Sequence, residues 1–125
     1  MKNVRPMLHV PDVAATARWY ESIGFDVLDL GKEDGDRGEV IWALVAFGEG
    51  QVMFSAGGRK SDARRREVDL YVDVDDVEAA FAQVKDRVDL VEGLHDTFYG
   101  TREFLFRDVN RFWITFGQRL RRPAP

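Results

Sequence analysis

The spacing of apolar residues along the chain predicts short strands and two helices. A mostly apolar stretch at residues 5–10 predicts a strand, and Asp12, just after it, stands at the N-cap position of a helix. Apolar residues recur at i, i+4 and i+7 on one face of that helix: Val13, Ala17 and Tyr20. Gly24 is predicted to end the helix, and residues 25–30 are predicted to form a second strand.

A hairpin is predicted next, because two apolar runs at residues 39–47 and 51–55 flank a Gly-Glu-Gly sequence. The stretch 31–38 before them is charged and contains glycine, so we expect a loop there. The basic run 64–66 after them is typical of a solvated linker.

The same pattern then starts again. Residues 68–74 predict a strand, and Asp76 stands at the N-cap of a second helix. The apolar face of this helix carries Val77, Ala80, Phe81 and Val84. A short strand at 88–91 is predicted to lead into a loop through Gly100, with His95 and Asp96 as a charged surface pair in that loop.

A second hairpin, with arms at 102–107 and 112–116, completes the pattern. Each half is therefore predicted to contain a strand, a helix and three further strands, in that order. The N-cap residue Asp76 follows Asp12 by 64 residues. Internal repetition of this kind is a strong fold signal. We expect a single domain over residues 1–125, with module one at about 4–56, a linker at 57–67, module two at 68–118 and a fraying basic tail at 119–125.

Composition narrows the class of protein. Of 125 residues, 45% are hydrophobic and 32% are charged, as in a globular domain, and no apolar run approaches the ~18 residues of a membrane span. The absence of cysteine excludes disulfides, thiolate catalysis and Cys-based zinc sites. A net charge of −4 disfavours nucleic-acid binding. We expect a cytoplasmic protein with neither a membrane nor a nucleic-acid partner.

Three stretches resemble a known family in their order and spacing. They are Leu8-His9-Val10-Pro11-Asp12-Val13 followed by Trp19-Tyr20 and Ile23-Gly24-Phe25; Val72-Asp73-Val74-Asp75-Asp76-Val77; and Tyr99-Gly100-Thr101-Arg102-Glu103-Phe104 followed by Arg107-Asp108-Val109-Asn110. Over about residues 4–118 the chain resembles the vicinal oxygen chelate superfamily. That family includes glyoxalase I, extradiol dioxygenases, fosfomycin-inactivating transferases and bleomycin-resistance proteins, and the likeness is greatest to the bleomycin-resistance type.

The resemblance implies an α+β fold of two βαβββ modules. Their strands would form a curled mixed sheet around a concave cleft, with the helices on the outer face and a homodimer completing the molecule. The chain departs from the family in the last turn, where Pro-x-Gly-Asn is replaced by Val109-Asn110-Arg111-Phe112. We therefore expect this turn to be altered in shape.

The resemblance also indicates where a metal would lie. The family's metal enzymes hold their ion at positions that correspond to Arg5, Ser55, Asp69 and Thr115. Only Asp69 is a good ligand, whereas a catalytic zinc needs about three. We therefore expect no metal, no cofactor and no catalytic residue.

Strand alternation and loop position select a candidate ligand site instead. The candidates are His9, Trp42, Asp69, Tyr71, Phe98, Tyr99, Glu103 and Trp113. Their rings stack on planar compounds and their carboxylates attract cations, so the expected partner is a planar aromatic or cationic small molecule. A competing interpretation makes Trp42 and Trp113 core or dimer-interface residues, and His9 an ordinary half-exposed strand histidine.

The leading hypothesis is a metal-free protein that sequesters a drug-like compound, as bleomycin-resistance proteins do. The alternative is a metal-dependent lyase, isomerase, dioxygenase or thiol transferase of the same superfamily. A third hypothesis is a protein–protein interaction domain that uses the same fold without a small ligand.

Overall fold

The computed structural model describes residues 1–120 and divides the chain into two compact units, Met1–Ser61 and Asp62–Pro125. Unit one contains β1 (Met7–His9), α1 (Val13–Ser22), β2 (Asp26–Asp34), β3 (Arg37–Phe47) and β4 (Gly50–Ser55). Unit two contains β5 (Asp69–Asp73), α2 (Val77–Val84), β6 (Asp89–Asp96), β7 (Thr101–Arg107) and β8 (Trp113–Arg119). The predicted order of strand, helix and three strands is therefore confirmed in both halves.

Each unit builds one four-stranded mixed sheet. The strand orders are β1-β4-β3-β2 and β5-β8-β7-β6. The pairs β1/β4 and β5/β8 are parallel, and the other pairs are antiparallel. One helix packs on one face of each sheet. The α+β class is confirmed, and no helix of the described residues is long and apolar enough to cross a membrane.

Both helices begin where the sequence predicts. Asp12 and Asp76 are extended N-caps with φ of −136° and −137°, and their carboxylates accept hydrogen bonds of 3.0 Å from the backbone N–H of Ala15 and Ala79. These bonds satisfy one of the free N–H groups of each first turn. Gly24 follows the end of α1 at φ 108°, a left-handed conformation that glycine adopts without strain.

The core lies between each helix and its sheet. The largest fully buried side chains of unit one include Tyr20 and Phe54, and those of unit two include Phe104 and Phe116. Strand alternation is as predicted: Leu8 and Val10 are buried while Met7 and His9 are exposed. In β8 the buried side chains again alternate with half-buried ones, which places Trp113 on the face away from α2.

Two predicted loops are strands instead. Residues 31–38 extend the hairpin: β2 continues to Asp34, β3 starts at Arg37, and Gly35 turns the chain at φ 58°. Residues 92–96 likewise belong to β6, so His95 lies on a strand paired with Glu103 and not in a loop. Both stretches are largely exposed, so pairing continues there without the apolar alternation on which a strand prediction depends.

The predicted tail begins too early. Gln118 and Arg119 complete β8, and the N–H of Leu120 donates to the carbonyl of Gly100 at 2.9 Å. Residues 121–125 of the predicted tail lie outside the described residues.

The last turn has the backbone of a glycine turn without the glycine. Arg111 has φ 71°, at the place where the family pattern has glycine. The carboxylate of Asp108 holds the turn by accepting from the N–H of Asn110 and of Phe112 at 2.8 Å each. The Nε of Arg111 donates to the carbonyl of Ala63 at 2.7 Å. The expected change of shape is therefore not seen in the backbone of Arg111, which keeps the left-handed conformation, and Asp108 holds the strained turn.

Candidate functional site

The face of each sheet that carries no helix, called the free face below, holds most of the predicted site residues. In unit one, strand register aligns a row across the four strands: His9, Ser55, Trp42 and Gly31. In unit two the equivalent row is Asp73, Gly117, Glu103 and His95. Paired residues of neighbouring strands point to the same face, so each row lies side by side on one surface.

The row of unit one carries two aromatic side chains, His9 and Trp42. Trp42 is half-buried and packs against Gly31, where an added Cβ would lie 3.4 Å from Cε3 of the indole. His9 is exposed, and its Nδ1 lies 3.4 Å from the carbonyl oxygen of Ala56. His9 and Trp42 are separated by the strand of Ser55, a spacing of about 9–10 Å. They line one surface but do not form a catalytic pair.

The row of unit two contains a buried carboxylate. Glu103 is only 4% exposed, although it lies on the free face. Its Oε2 accepts from the hydroxyl of Tyr71 at 2.7 Å and from that of Thr101 at 2.9 Å, and its Oε1 accepts from the hydroxyl of Tyr99 at 2.9 Å. Three predicted site residues, Tyr71, Tyr99 and Glu103, are therefore joined in one cluster.

Gly117 makes this cluster possible. Tyr71 leaves β5 next to β8, and its ring lies across Gly117 to reach Glu103 on β7. A Cβ at position 117 would overlap the Tyr71 hydroxyl. Neither Gly117 nor Thr101 was among the predicted site residues. A glycine inside a strand often marks a close approach, and that signal was available in the sequence.

The hydrogen bonds of the cluster shift its pKa values. Burial raises the pKa of Glu103, but the donors Tyr71, Tyr99 and Thr101 outweigh burial and hold it below its ordinary value of 4.5. Burial, and then the bond to Glu103, raise the pKa of Tyr71 to about 12. The bond to Glu103 also raises the pKa of Tyr99. At neutral pH the carboxylate is charged and both phenols keep their protons.

Asp69 and Trp113 form a second group, and a residue of the preceding segment occupies it. The guanidinium of Arg65 lies over the Trp113 ring, 4.5 Å from its centre, and forms an ion pair with Asp69. The indole Nε1 donates to the carbonyl of Arg64 at 2.7 Å. Asp69 is therefore paired with a cation, and Arg65 covers one face of the Trp113 ring.

The basic run is thus not the solvated linker that its composition predicts. Arg66 lies over the Phe112 ring, 4.3 Å from its centre, with a largely buried side chain that donates to the carbonyl of Asn110 at 2.9 Å. Composition alone gives no sign that arginines will stack on rings. We call residues 63–66 the arginine strap.

Phe98 is fully exposed, and its ring meets the ring of Tyr99 edge to face, with centres 5.1 Å apart. It extends the aromatic surface around Glu103. Asp69 and Trp113 lie about 13 Å away along the strands, since Gly117 comes four positions after Trp113. The eight predicted residues therefore fall into three groups, of which the cluster around Glu103 is the most tightly connected.

The residues at the family's metal positions do not fit a metal. Arg5 is a cation, Ser55 and Thr115 are hydroxyls, and the one carboxylate, Asp69, is paired with Arg65. Over residues 1–120 no three or more His, Asp or Glu side chains are grouped in a way that would hold an ion. These positions therefore do not provide a catalytic metal site.

The chain is similar to one protein family and to solved structures with the same fold. The model of the Glyoxalase/Bleomycin resistance protein/Dioxygenase superfamily matches residues 4–116. TioX from Micromonospora sp. ML1 is 21% identical with a TM-score of 0.72, over 98% of this chain and 100% of that chain. A protein of unknown function from Agrobacterium tumefaciens str. C58 is 26% identical with a TM-score of 0.71, over 96% and 95%. No curated protein matches the chain.

Proposed function

The chain belongs to the glyoxalase/bleomycin resistance protein/dioxygenase superfamily, and from this premise we propose that it is a metal-free protein that binds a small molecule and neutralises it by sequestration. Bleomycin-resistance proteins of the superfamily act in this way. The proposed activity is binding alone and needs no catalytic residue.

The donor set at the family's metal positions carries the proposal. Of the four residues, Asp69 alone is a carboxylate, and the guanidinium of Arg65 already satisfies it. A catalytic zinc site needs about three protein ligands with an open position for water or substrate. The arrangement thus favours binding over metal-assisted chemistry.

The free face of unit two supports a ligand surface. Phe98 is fully exposed, and Tyr71 and Tyr99 are 50% and 56% exposed. Exposed rings grouped around a charged carboxylate are typical of recognition surfaces. Each ring stacked on a planar compound contributes about 0.5–1.5 kcal/mol beyond area burial.

A homodimer is part of the proposal. In each sheet one of the two outer strands, β2 or β6, leaves an edge unpaired and exposes leucines: Leu28, Leu30, Leu90 and Leu94. Exposed apolar edge strands are usually covered by a partner. Light scattering at micromolar concentration should give twice the 14.3 kDa chain mass, and a clean 14.3 kDa species would contradict the dimer.

Metal analysis combined with a thermal-shift screen tests the function. We expect no stoichiometric metal in the purified protein, and a higher melting temperature with one compound from a panel of glycopeptides, planar aromatics and organic cations. A ligand at 100 times its Kd adds about 2.7 kcal/mol of stability. Stoichiometric metal that Asp69→Asn removes and Asp73→Asn keeps would overturn the proposal in favour of a metal enzyme.

A further inference from the structure

We propose that the hydroxyls of Tyr71 and Tyr99 form a pair of hydrogen-bond acceptors, backed by the buried charge of Glu103, that binds an N–H-bearing organic cation such as an amidinium, guanidinium or ammonium group. The inference rests on the proposed binding function and names the chemical class of the compound. The carboxylate is the source of charge, and the two phenol oxygens are the contact atoms.

The direction of the hydrogen bonds decides what the phenols offer to a ligand. A phenol has one proton, and both tyrosines donate theirs to Glu103, at 2.7 Å and 2.9 Å. Each oxygen can then only accept further hydrogen bonds, and Tyr71 and Tyr99 are both about half exposed. A ligand that meets these oxygens must therefore be a donor.

The charge behind the phenols favours a cationic donor. In the described part of the chain Glu103 forms no ion pair with a lysine or arginine, and its partners are three hydroxyls. Hydrogen bonds to a carboxylate polarise the donor hydroxyls and strengthen the bonds that their oxygens accept. A cationic donor would therefore gain from the buried negative charge as well as from the phenol oxygens.

The rings complete the site. The ring of Phe98 meets that of Tyr99 edge to face, with centres 5.1 Å apart. The ring of Tyr71 is held across Gly117. Ring faces attract cations, so a planar cation gains from the rings as well as from the oxygens.

Three probes of similar size separate the contributions: benzamidine, benzamide and phenyltrimethylammonium. Benzamidine has both charge and N–H donors, benzamide has donors without charge, and phenyltrimethylammonium has charge without donors. We expect benzamidine to bind the full chain about ten-fold more tightly than either of the others, as measured by NMR titration. Equal binding of phenyltrimethylammonium, or no response to benzamidine, would overturn the inference.

Matched variants place the binding at the cluster. Glu103→Gln and Tyr71→Phe should each weaken benzamidine about ten-fold, whereas Asp73→Asn, which removes an exposed charge on the same face, should change it less than about two-fold. A second measurement does not depend on the ligand. Absorbance at 295 nm should follow a tyrosine ionising near pH 12 in the parent protein and at a lower pH in Glu103→Gln, because the bond to the carboxylate is lost while the burial of Tyr71 remains.

Three outcomes separate a failure of this inference from a failure of the proposed function. If a neutral planar compound of the thermal-shift panel binds and benzamidine does not, the cation site is wrong and sequestration stands. If no compound of the panel binds, the proposed function itself is wrong. If benzamidine binds equally well to Glu103→Gln and the parent, its site lies elsewhere and the inference is overturned.

Discussion

Trp42 and Glu103 occupy the same place in the two units, one on β3 and the other on β7. Trp42 is paired with Ser55 of β4, and Glu103 is paired with Gly117 of β8. Ser55 and Gly117 are each paired in turn with a residue of the first strand of their unit. In both units an aromatic ring lies over a glycine of the free face: Trp42 over Gly31, and Tyr71 over Gly117. The same position thus holds an indole in one unit and a buried carboxylate in the other.

The faces that pack on the helices are apolar in both units, although individual side chains differ. Asp12 and Asp76 cap their helices with bonds of equal length. Phe54 pairs with Leu8, and Phe116 with Val72, at equivalent places in the two sheets. The repeated face determines the fold, and the face that differs is the one available for a ligand, since function depends on the site and not on the fold.

Core truncation should have the largest effect and should be alike in the two units. Phe54 and Phe116 are both essentially fully buried. Phe54→Ala and Phe116→Ala should each lower the free energy of unfolding by about 3–5 kcal/mol through lost burial and a residual cavity. Urea unfolding measures both, and a loss below about 1 kcal/mol in either would show that the two cores are not equivalent.

The two glycines under the rings should behave differently. Gly117→Ala pushes Tyr71 away and leaves Glu103 without one donor, so stability should fall by about 1–3 kcal/mol. Gly31→Ala places its Cβ at an ordinary 3.4 Å from Trp42, so the change should stay within about 0.5 kcal/mol. Equal losses in thermal or urea unfolding would contradict the asymmetry of the free faces.

Removing the helix caps should again affect both units alike. Asp12→Ala and Asp76→Ala each take away a hydrogen bond of 3.0 Å to the first turn. Each should reduce the free energy of unfolding by about 0.5–2 kcal/mol. If the denaturation midpoint of one variant is unchanged, the cap removed in that variant does not stabilise its helix.

The smallest effect concerns acid stability and belongs to unit two alone. The folded pKa of Glu103 is lower than the 4.5 of an ordinary glutamate, so the unfolded state binds a proton first as the pH falls. Stability from this group is complete above pH 4.5 and is lost as the pH falls through the folded pKa. Glu103→Gln should therefore flatten the acid limb of a plot of unfolding free energy against pH, whereas Gly31→Ala should leave its slope unchanged.

Much of the fold was predictable because it depends on local signals. The N-caps, the buried strand faces and the order of elements follow from residue type and spacing. The ends of β2 and β6 could not be predicted in this way, because Lys32 and His95 lie on strands that continue past the helix-covered core. There the backbone pairs without the side-chain alternation that reveals a strand.

The candidate site was predictable as a set of residues but not as a set of bonds. Alternation places Tyr71 and Glu103 on one face, yet their hydrogen bond depends on a long side chain crossing Gly117. Asp69 has a cation four residues before it, but Arg65 precedes the strand, so no helical spacing indicated their ion pair. Contacts made by flexible side chains between strands are not encoded in spacing.

The arginine strap determines where the polypeptide chain can be cut into two halves. The carbonyls of Ala63 and Arg64 accept hydrogen bonds from Arg111 and Trp113, so these residues belong to the second half although they precede its first strand. A half-protein that starts at residue 68 would leave Trp113 without its acceptor and Phe112 without its covering arginine. A chain break or a circular permutation is therefore better placed at the exposed residues 59–60, where it leaves both halves intact.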